Sequence, residues 1–432
     1  MKLKIMVSLF LATLNLTCLR EVDLVQTDAN GVAIQLPHLW KSSLSDGTLG
    51  YGLRHGFIYN GGILCVGMRK STKTQYAQNG EQYLVFKDVN TGQNLWSWDD
   101  RIEQQSYFNI TKGIAFYEGR MLFYDQKYQY CIDTQTGRTV WKVRRDIEYN
   151  PTMSQLGPLF FATAIDEART GKGLFASSIL KGNINSGSIQ YISTPTYSRE
   201  FVSKNSAWVG DVTNVVPVIR DVDTLLIIPH TEMGPEAKFT VNRCFLSLYN
   251  LSQHKWMYER AELSRAELGG TTSIMPIVIS NRIYVTVLPS VHCFDLMTGK
   301  RIWDTLLEQR LTGFSDLIMA DNKLLANSLL ARLHCLDPQT GAVLWSQKSS
   351  AVGSDLYYQD GVVYYIASKN LLAVEVATGK LLWDLPSPDA REEKRSDSWF
   401  GGFVTGVPGK NGQKGKIYAT TNLNLYCFDA AR

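Results

Sequence analysis

Residues 332–350 read RLHCLDPQTGAVLWSQKSS, an Asp followed three residues later by Thr-Gly and, four beyond the Gly, by a Trp. The segments on either side, ARLHCL and AVLWSQ, alternate apolar and polar residues with the period of two expected of β-strands. Between them, Asp337 offers a carboxylate to backbone N–H groups two residues on, and Gly341 takes the positive φ that ends a short hairpin loop. The motif therefore reads as the turn of a β-hairpin. Trp345 stands at a fixed place on its second strand, where a ring burying roughly 150–250 Å² can seal one unit against the next.

The pattern recurs along the chain. Asp88 and Gly92 lead to Trp96, Asp133 and Gly137 to Trp141, Asp295 and Gly299 to Trp303, and Glu375 and Gly379 to Trp383. A worn copy, LSLYNLSQHKW, ends at Trp256. The tryptophans are 45 residues apart from 96 to 141, 47 from 256 to 303, 42 from 303 to 345 and 38 from 345 to 383. Four strands of five or six residues with their turns consume about 40 residues, the size of one propeller blade. Upstream of the opening hairpin, SDLIMA (315–320) and KLLANS (323–328) supply the other two strands of that unit.

The 115 residues between Trp141 and Trp256 leave room for two units, and the missing marker is expected at INSGSIQYIS (184–193), with Tyr191 in place of Trp. After Trp383 the chain offers three strands, FGGFVTGV, GKIYATT and LNLYCFDAAR, ending at Asp429 without a fourth. Near the start, IQLPHLWKSS offers one strand, with Trp40, that no turn motif precedes. The expectation is an all-β, eight-bladed propeller over residues 37–432, its last blade closed by this N-terminal strand so that no sheet edge stays open. Seven blades follow instead if the middle gap holds one blade with a long insertion.

The repeat D-x-x-T-G-x-x-x-W resembles the PQQ-like, quinoprotein-type repeat of β-propellers. That family includes PQQ-dependent alcohol dehydrogenases and non-catalytic lipoproteins of the BamB type, which serve outer-membrane assembly. The resemblance implies the propeller fold and leaves two functions open. One is a binding or scaffolding propeller of the bacterial envelope, with a protein or glycan partner and no cofactor. The other is a dehydrogenase using PQQ with Ca²⁺ to oxidise an alcohol or sugar. The adjacent cysteine pair typical of the alcohol dehydrogenases is absent from this sequence, and the chain's length is nearer that of the scaffold lipoproteins.

The first residues, MKLKIMVSLFLATLNLTC, place Lys2 and Lys4 before an uncharged, mainly apolar run, the layout of a secretory signal over 1–17. Cys18 stands where a lipoprotein would be cleaved and acylated, although Leu16 and Thr17 replace the usual small pair; a tether over 18–36 would follow. An exported, periplasmic or outer-membrane-anchored protein is the expectation. Losing residues 1–17 removes two lysines and lowers the net charge from +4 to +2. No basic stripe of the kind that binds nucleic acid remains.

Other chemistry is sparse. Cys131, Cys293, Cys335 and Cys427 each sit two residues before a turn Asp, an address suited to a small buried hydrophobe. Cys65 and Cys244 are left as a conceivable pair. The histidines lack metal-ligand spacing, although His292 and His334 share one blade address. GKNGQKG (409–415) reads as an exposed hairpin loop. Trp208, Trp399 and Phe400 are the aromatics that the blade pattern leaves over, and so the candidate partner or ligand contacts. The connections 68–81, 165–188 and 230–242 are the candidate contact surfaces.

Overall fold

A computed structural model describes residues 36–46, 56–70, 81–102, 113–125, 128–144, 148–165, 175–192, 194–196, 209–212, 214–236, 239–266, 274–307, 313–328, 332–348, 354–367, 369–392 and 398–432. The expected signal segment 1–17, Cys18, the expected tether up to residue 35, and Trp208 lie outside them.

Eight blades of four antiparallel strands follow one another. Blade 1 holds Phe57–Tyr59, Gly62–Arg69, Glu81–Asp88 and Asn94–Trp98; blade 2 holds Ile114–Tyr117, Arg120–Asp125, Tyr128–Asp133 and Thr139–Arg144. In blade 3 the strands are Glu148–Leu156, Leu159–Ile165, Phe175–Asn183 and Ile189–Ile192, and in blade 4 Val216–Arg220, Asp223–Glu236, Phe239–Asn250 and Lys255–Ala266. Blade 5 comprises Ile277–Ile279, Arg282–Val287, Ser290–Asp295 and Arg301–Leu306; blade 6 comprises Phe314–Ala320, Lys323–Ser328, Arg332–Leu336 and Val343–Lys348. Blade 7 takes Tyr357–Gln359, Val362–Ala367, Asn370–Glu375 and Leu381–Leu385. Blade 8 takes Phe400–Val407, Lys416–Thr421 and Asn424–Asp429, and its outer strand is Trp40–Ser43, paired antiparallel with Trp40 opposite Cys427. The N-terminal strand thus closes the ring, and the seven-blade alternative fails because the middle gap holds blades 3 and 4. The helix among the described residues is the five-residue Pro388–Glu392, between blades 7 and 8.

Each turn motif forms as its residues require. Asp133 Oδ1 accepts hydrogen bonds from the N–H of Gln135 (3.1 Å) and Thr136 (2.8 Å) and from the Thr136 hydroxyl (2.8 Å), and Gly137 N–H returns to the Asp133 carbonyl (2.9 Å). Blade 3 builds the same turn on Asn183 and Gly187, as the Tyr191 assignment requires.

The seams between blades rest on the Trp and on the Gly of the next turn. Trp303 Nε1 donates to the Pro338 carbonyl at 3.1 Å, Trp96 to that of Thr134 at 2.8 Å, Trp345 to that of Val376 at 3.0 Å and Trp141 to that of Ile184 at 3.3 Å. A Cβ on Gly341, whose φ is +75°, would stand 2.6 Å from the Trp303 ring; Gly92, Gly137 and Gly379 lie equally close against Trp40, Trp96 and Trp345. Glycine is therefore demanded twice over, by the backbone conformation and by the ring laid on it. On its own blade the Trp faces the residue two before the Asp, which is Cys131, Cys293 or Cys335 in three blades, Phe86 in blade 1 and Ala373 in blade 7. The cysteines are thus small apolar fillers beneath an indole. Trp383, whose neighbour has no turn motif, packs with Ala430 and Ala431 of the C-terminal tail beyond Asp429.

Blade 4 corrects the sequence reading. Its turn begins at Asn250, and the residue eight further on, where the other blades hold Trp, is Tyr258, opposite Leu248. Tyr258 is the residue that meets the turn glycine Gly299 of blade 5. Trp256 pairs with Tyr249 and packs towards blade 3 with Phe161, Ile179 and Leu226. The conspicuous Trp was two positions off the address.

Blades 3 and 4 also depart from the four-stranded plan. An additional strand, Val209–Val212, runs parallel to Phe175–Ala176 of blade 3 and antiparallel to His230–Met233 of blade 4, joining the two blades into one nine-stranded sheet. The second strand of blade 4 is 14 residues long and the third 12, against six for the same strands of blade 5. Residues 230–242, read from sequence as a connection, are strand except at 237–238, which lie outside the described residues.

Candidate interaction face

Antiparallel order places the turns between first and second strands, and all the D-x-x-T-G turns, on one side of the disc. The hairpins between second and third strands, and the connections from one blade to the next, emerge on the other. Of the three connections singled out from sequence, 68–81 and 230–242 fall at the second-to-third-strand hairpins of blades 1 and 4, on this loop face. The third, 165–188, does so only up to residue 174, since Phe175–Asn183 is the third strand of blade 3, paired with Leu159–Ile165, and Asn183–Gly187 is its turn on the opposite face. The opposite, turn face consists of short loops, the longest described one being 408–415 of blade 8, in which the GKNGQKG segment is exposed up to Lys414 and Gly415 is buried.

On the loop face the polar groups are organised into local networks. In blade 4 the fully buried Glu232 pairs with the guanidinium of Arg260, which lies 4.0 Å from the centre of the Phe245 ring. Arg260 also donates to the Thr196 carbonyl (3.0 Å), and Glu259 accepts from the Thr196 N–H (2.9 Å), so two neighbouring side chains hold the connection from blade 3 by its backbone. Above blades 1 and 2, Arg69 pairs with Glu81 and Asp99, and Lys142 with Asp100.

Between blades 7 and 8, the short helix buries Asp389. Its carboxylate accepts from Ser398 Oγ (2.7 Å), Thr421 Oγ1 (2.5 Å), Asn424 Nδ2 (2.7 Å) and the Tyr426 hydroxyl. Burial alone would raise its pKa; the donors from Thr421, Tyr426, Ser398 and Asn424 outweigh burial and hold it below the usual range.

The aromatics left over by the repeat divide. Phe400 is 1% exposed and packs on Tyr426 and Phe428 in the core of blade 8, so it offers no surface to a partner. Its apolar ring is better placed in the blade interior than at the channel mouth, a choice that the sequence pattern alone could not make. Trp399, one residue earlier, is half-buried at the loop-face entrance of the same strand, with the Lys369 ammonium 5.0 Å above its ring. It remains a candidate contact.

The nucleophiles and ligands seen in the sequence take structural places. The cysteines at 65, 131, 244, 293, 335 and 427 are all buried free thiols, and Cys65 and Cys244 sit in different blades, 1 and 4. Burial pushes the Cys65, Cys335 and Cys427 thiols up to about 12 and those of Cys131 and Cys293 to about 11, far from nucleophilic. Burial also lowers His230 and His292 to about 4, so both are neutral at pH 7. His334 hydrogen-bonds the Ser346 hydroxyl across the sheet at 2.9 Å.

Among the described residues, no group of three or more His, Cys, Asp and Glu side chains converges to hold a metal ion. No adjacent cysteines occur in the chain.

A family model described as PQQ_2, outer membrane protein assembly factor BamB, matches residues 258–432, blades 5 to 8 with the end of blade 4. These comparisons support a β-propeller of PQQ-like repeats. Quinohemoprotein alcohol dehydrogenase from Comamonas testosteroni superposes with a TM-score of 0.58 at 10% identity, over 91% of this chain and 76% of that one. The computationally designed Ika8 protein gives 0.56 at 11% identity, over 91% and 98%. BamB from Moraxella catarrhalis gives 0.42 at 12% identity, over 78% and 99%, too low an overlap to argue from. At such identities the superpositions speak for the fold alone. No curated protein matches the chain in sequence.

Proposed function

We propose that the chain is a non-catalytic binding or scaffolding propeller of the bacterial cell envelope, engaging a protein partner through its loop face. The observation that carries this reading is the asymmetry between the faces. One consists of short turns apart from the 408–415 loop; the other gathers the blade-to-blade connections, the joined sheet of blades 3 and 4, and the half-buried Trp399. Binding residues concentrate on connections that a rigid scaffold positions. The BamB-type match over blades 5–8 supports an envelope setting. With it go export by residues 1–17 and acylation at Cys18, where more than one acyl chain gives stable anchoring. Trp208 and Trp399 are the proposed contact aromatics; a glycan stacked on such a ring is the alternative ligand.

Site-specific photocrosslinking in native envelopes tests the reading. A crosslinker at Lys369, Trp399 or Glu259 is expected to trap one discrete partner, and one at Gln135 or Thr340 on the turn face none. Crosslinks confined to the turn face would reverse the assignment. The enzyme alternative rests on the resemblance of the repeat to that of PQQ-dependent dehydrogenases, and adding PQQ, Ca²⁺ and an electron acceptor is expected to give no turnover; alcohol or sugar oxidation would replace the scaffold reading.

A further inference from the structure

Seven of the eight outer strands are tied to their blade by a hairpin, and the turn of a hairpin fixes strand register. The outer strand of blade 8 has no such turn. It is a four-residue segment from the far end of the chain, WKSS, laid on the edge of Asn424–Asp429. A slip of one residue would exchange its two faces, turning Trp40 and Ser42 towards blade 7 and Lys41 towards blade 1.

The two flanks of this strand carry buried ionic groups. Towards blade 1 lies Lys87, 2% exposed, whose ammonium donates to Ser42 Oγ (2.8 Å) and Asn94 Oδ1 (2.6 Å). Lys87 occupies the position just before the turn residue, which is Ile132, Gly182, Tyr249, Phe294, Leu336, Val374 and Phe428 in the other blades. A lysine at this one seam breaks an otherwise uncharged series. Ser42 passes the chain on to the Gly92 carbonyl at 2.6 Å, a bond that Thr305 also makes to Gly341. On the other flank stands Asp389, with the Lys41 ammonium 4.0 Å from its carboxylate and 6.0 Å from the centre of the Tyr426 ring.

We propose that the open edge of blade 8 is a strand-acceptor site addressed by Lys87 on one flank and Asp389 on the other. It takes one ligand, the Trp40–Ser43 segment of this chain, in one register. Buried polar groups of this kind add little stability over apolar packing, but they penalise every arrangement that leaves them unpaired. A foreign strand, or this one slipped by a residue, would bury the Lys87 ammonium against an indole edge or alkyl chain and leave Asp389 without its cation. Seams closed by hairpins need no such device, and at the position of Lys87 they carry uncharged residues.

The test uses the full-length folded chain with a protease site placed after Asp46, cut so that the N-terminal piece is held by contacts alone. Fluorescent peptides of residues 36–46 then compete for the groove. The native peptide is expected to enter, and peptides carrying Ser42→Ala, Lys41→Glu or the same residues shifted by one to bind at least tenfold more weakly. Equal binding by all of them would overturn the proposal, leaving backbone pairing and Trp40 as the whole address. In the uncut chain, Lys87→Gln and Asp389→Asn are each expected to speed amide exchange at Lys41–Ser43 at least tenfold and to leave Arg332–Leu336 unchanged. Unaltered exchange at Lys41–Ser43 would equally sink it, whether or not any peptide enters the cut protein.

Discussion

Blades 5 to 7 and blades 3 to 4 solve one problem in two ways. In the former, each sheet is separate and the seams depend on a stereotyped contact, Trp303 on Gly341 and Trp345 on Gly379, each indole bonded to a carbonyl of the next turn. In the latter the marker is Tyr191 or Tyr258, the blade 4 turn ends at His254 (φ +53°) rather than a glycine, and a shared strand at Val209–Val212 stitches the two sheets together. Where the side-chain latch has decayed, backbone pairing replaces it. The regular blades are interchangeable scaffold; the stitched pair carries the longest strands and the buried Glu232–Arg260 pair, as expected of the part of a repeat protein that has left the repeat for another task.

The largest effect that would break this contrast is removal of an indole. Trp303→Ala is expected to cost about 3 kcal/mol in urea unfolding, the low end for a large aromatic, since its ring is half-buried on the blade 6 turn. Trp256→Ala, off the latch address, should cost roughly half as much or less; equal losses would mean that Trp256 serves its seam as Trp303 does. Next comes the turn glycine. Gly341→Ala must accept a left-handed backbone and displace the Trp303 ring, about 2–4 kcal/mol together. Gly157→Ala, with φ +56° and open space around its Cβ position, bears the backbone cost alone, about 1 kcal/mol.

A smaller effect should appear with pH. The Thr136 hydroxyl and the N–H groups of Thr136 and Gln135 hold Asp133 below the usual carboxylate range. Its contribution is present above the unfolded-state value near 4 and is lost as pH falls through the lower folded value. Wild type should therefore lose more stability than Asp133→Asn between about pH 5 and pH 2, measured by thermal unfolding across that range. Smallest, and opposite in sign, Tyr258→Trp should restore the consensus contact with blade 5 and raise stability by up to about 1 kcal/mol; a loss would show that the blade 4–5 seam has been rebuilt around the phenol.

Much of this molecule could be read directly. The turn motif declares itself because Asp, Thr and Gly are each required by hydrogen bonds inside five residues, and its period counts the blades. Even Tyr258 is marked in the sequence, since it stands eight residues beyond Asn250 as each Trp stands eight beyond its turn Asp or Glu; Trp256 stands two residues short of that address. The segment HTEMGPEAKFTVN was not legible as strand, because Gly234 and Pro235 argue against one and their partners lie across a sheet that the sequence does not announce.

The candidate face was legible as three long connections and one unexplained Trp-Phe pair, but not as a face. That 68–81, the hairpin of 230–242 and the start of 165–188 lie on one side follows from strand alternation once the blades are counted, whereas the strand within 165–188 and the division of labour between Trp399, at the surface, and Phe400, in the core, needed coordinates. By itself the chain determined its repeat, a count of seven or eight blades and the strand that closes the ring, because these depend on interactions within a hairpin or on a period. The stitching of blades 3 and 4, the buried Lys87 and Asp389 beside the closing strand, and the unequal faces were decided by tertiary structure, since each joins residues tens to hundreds of positions apart whose meeting leaves no local trace.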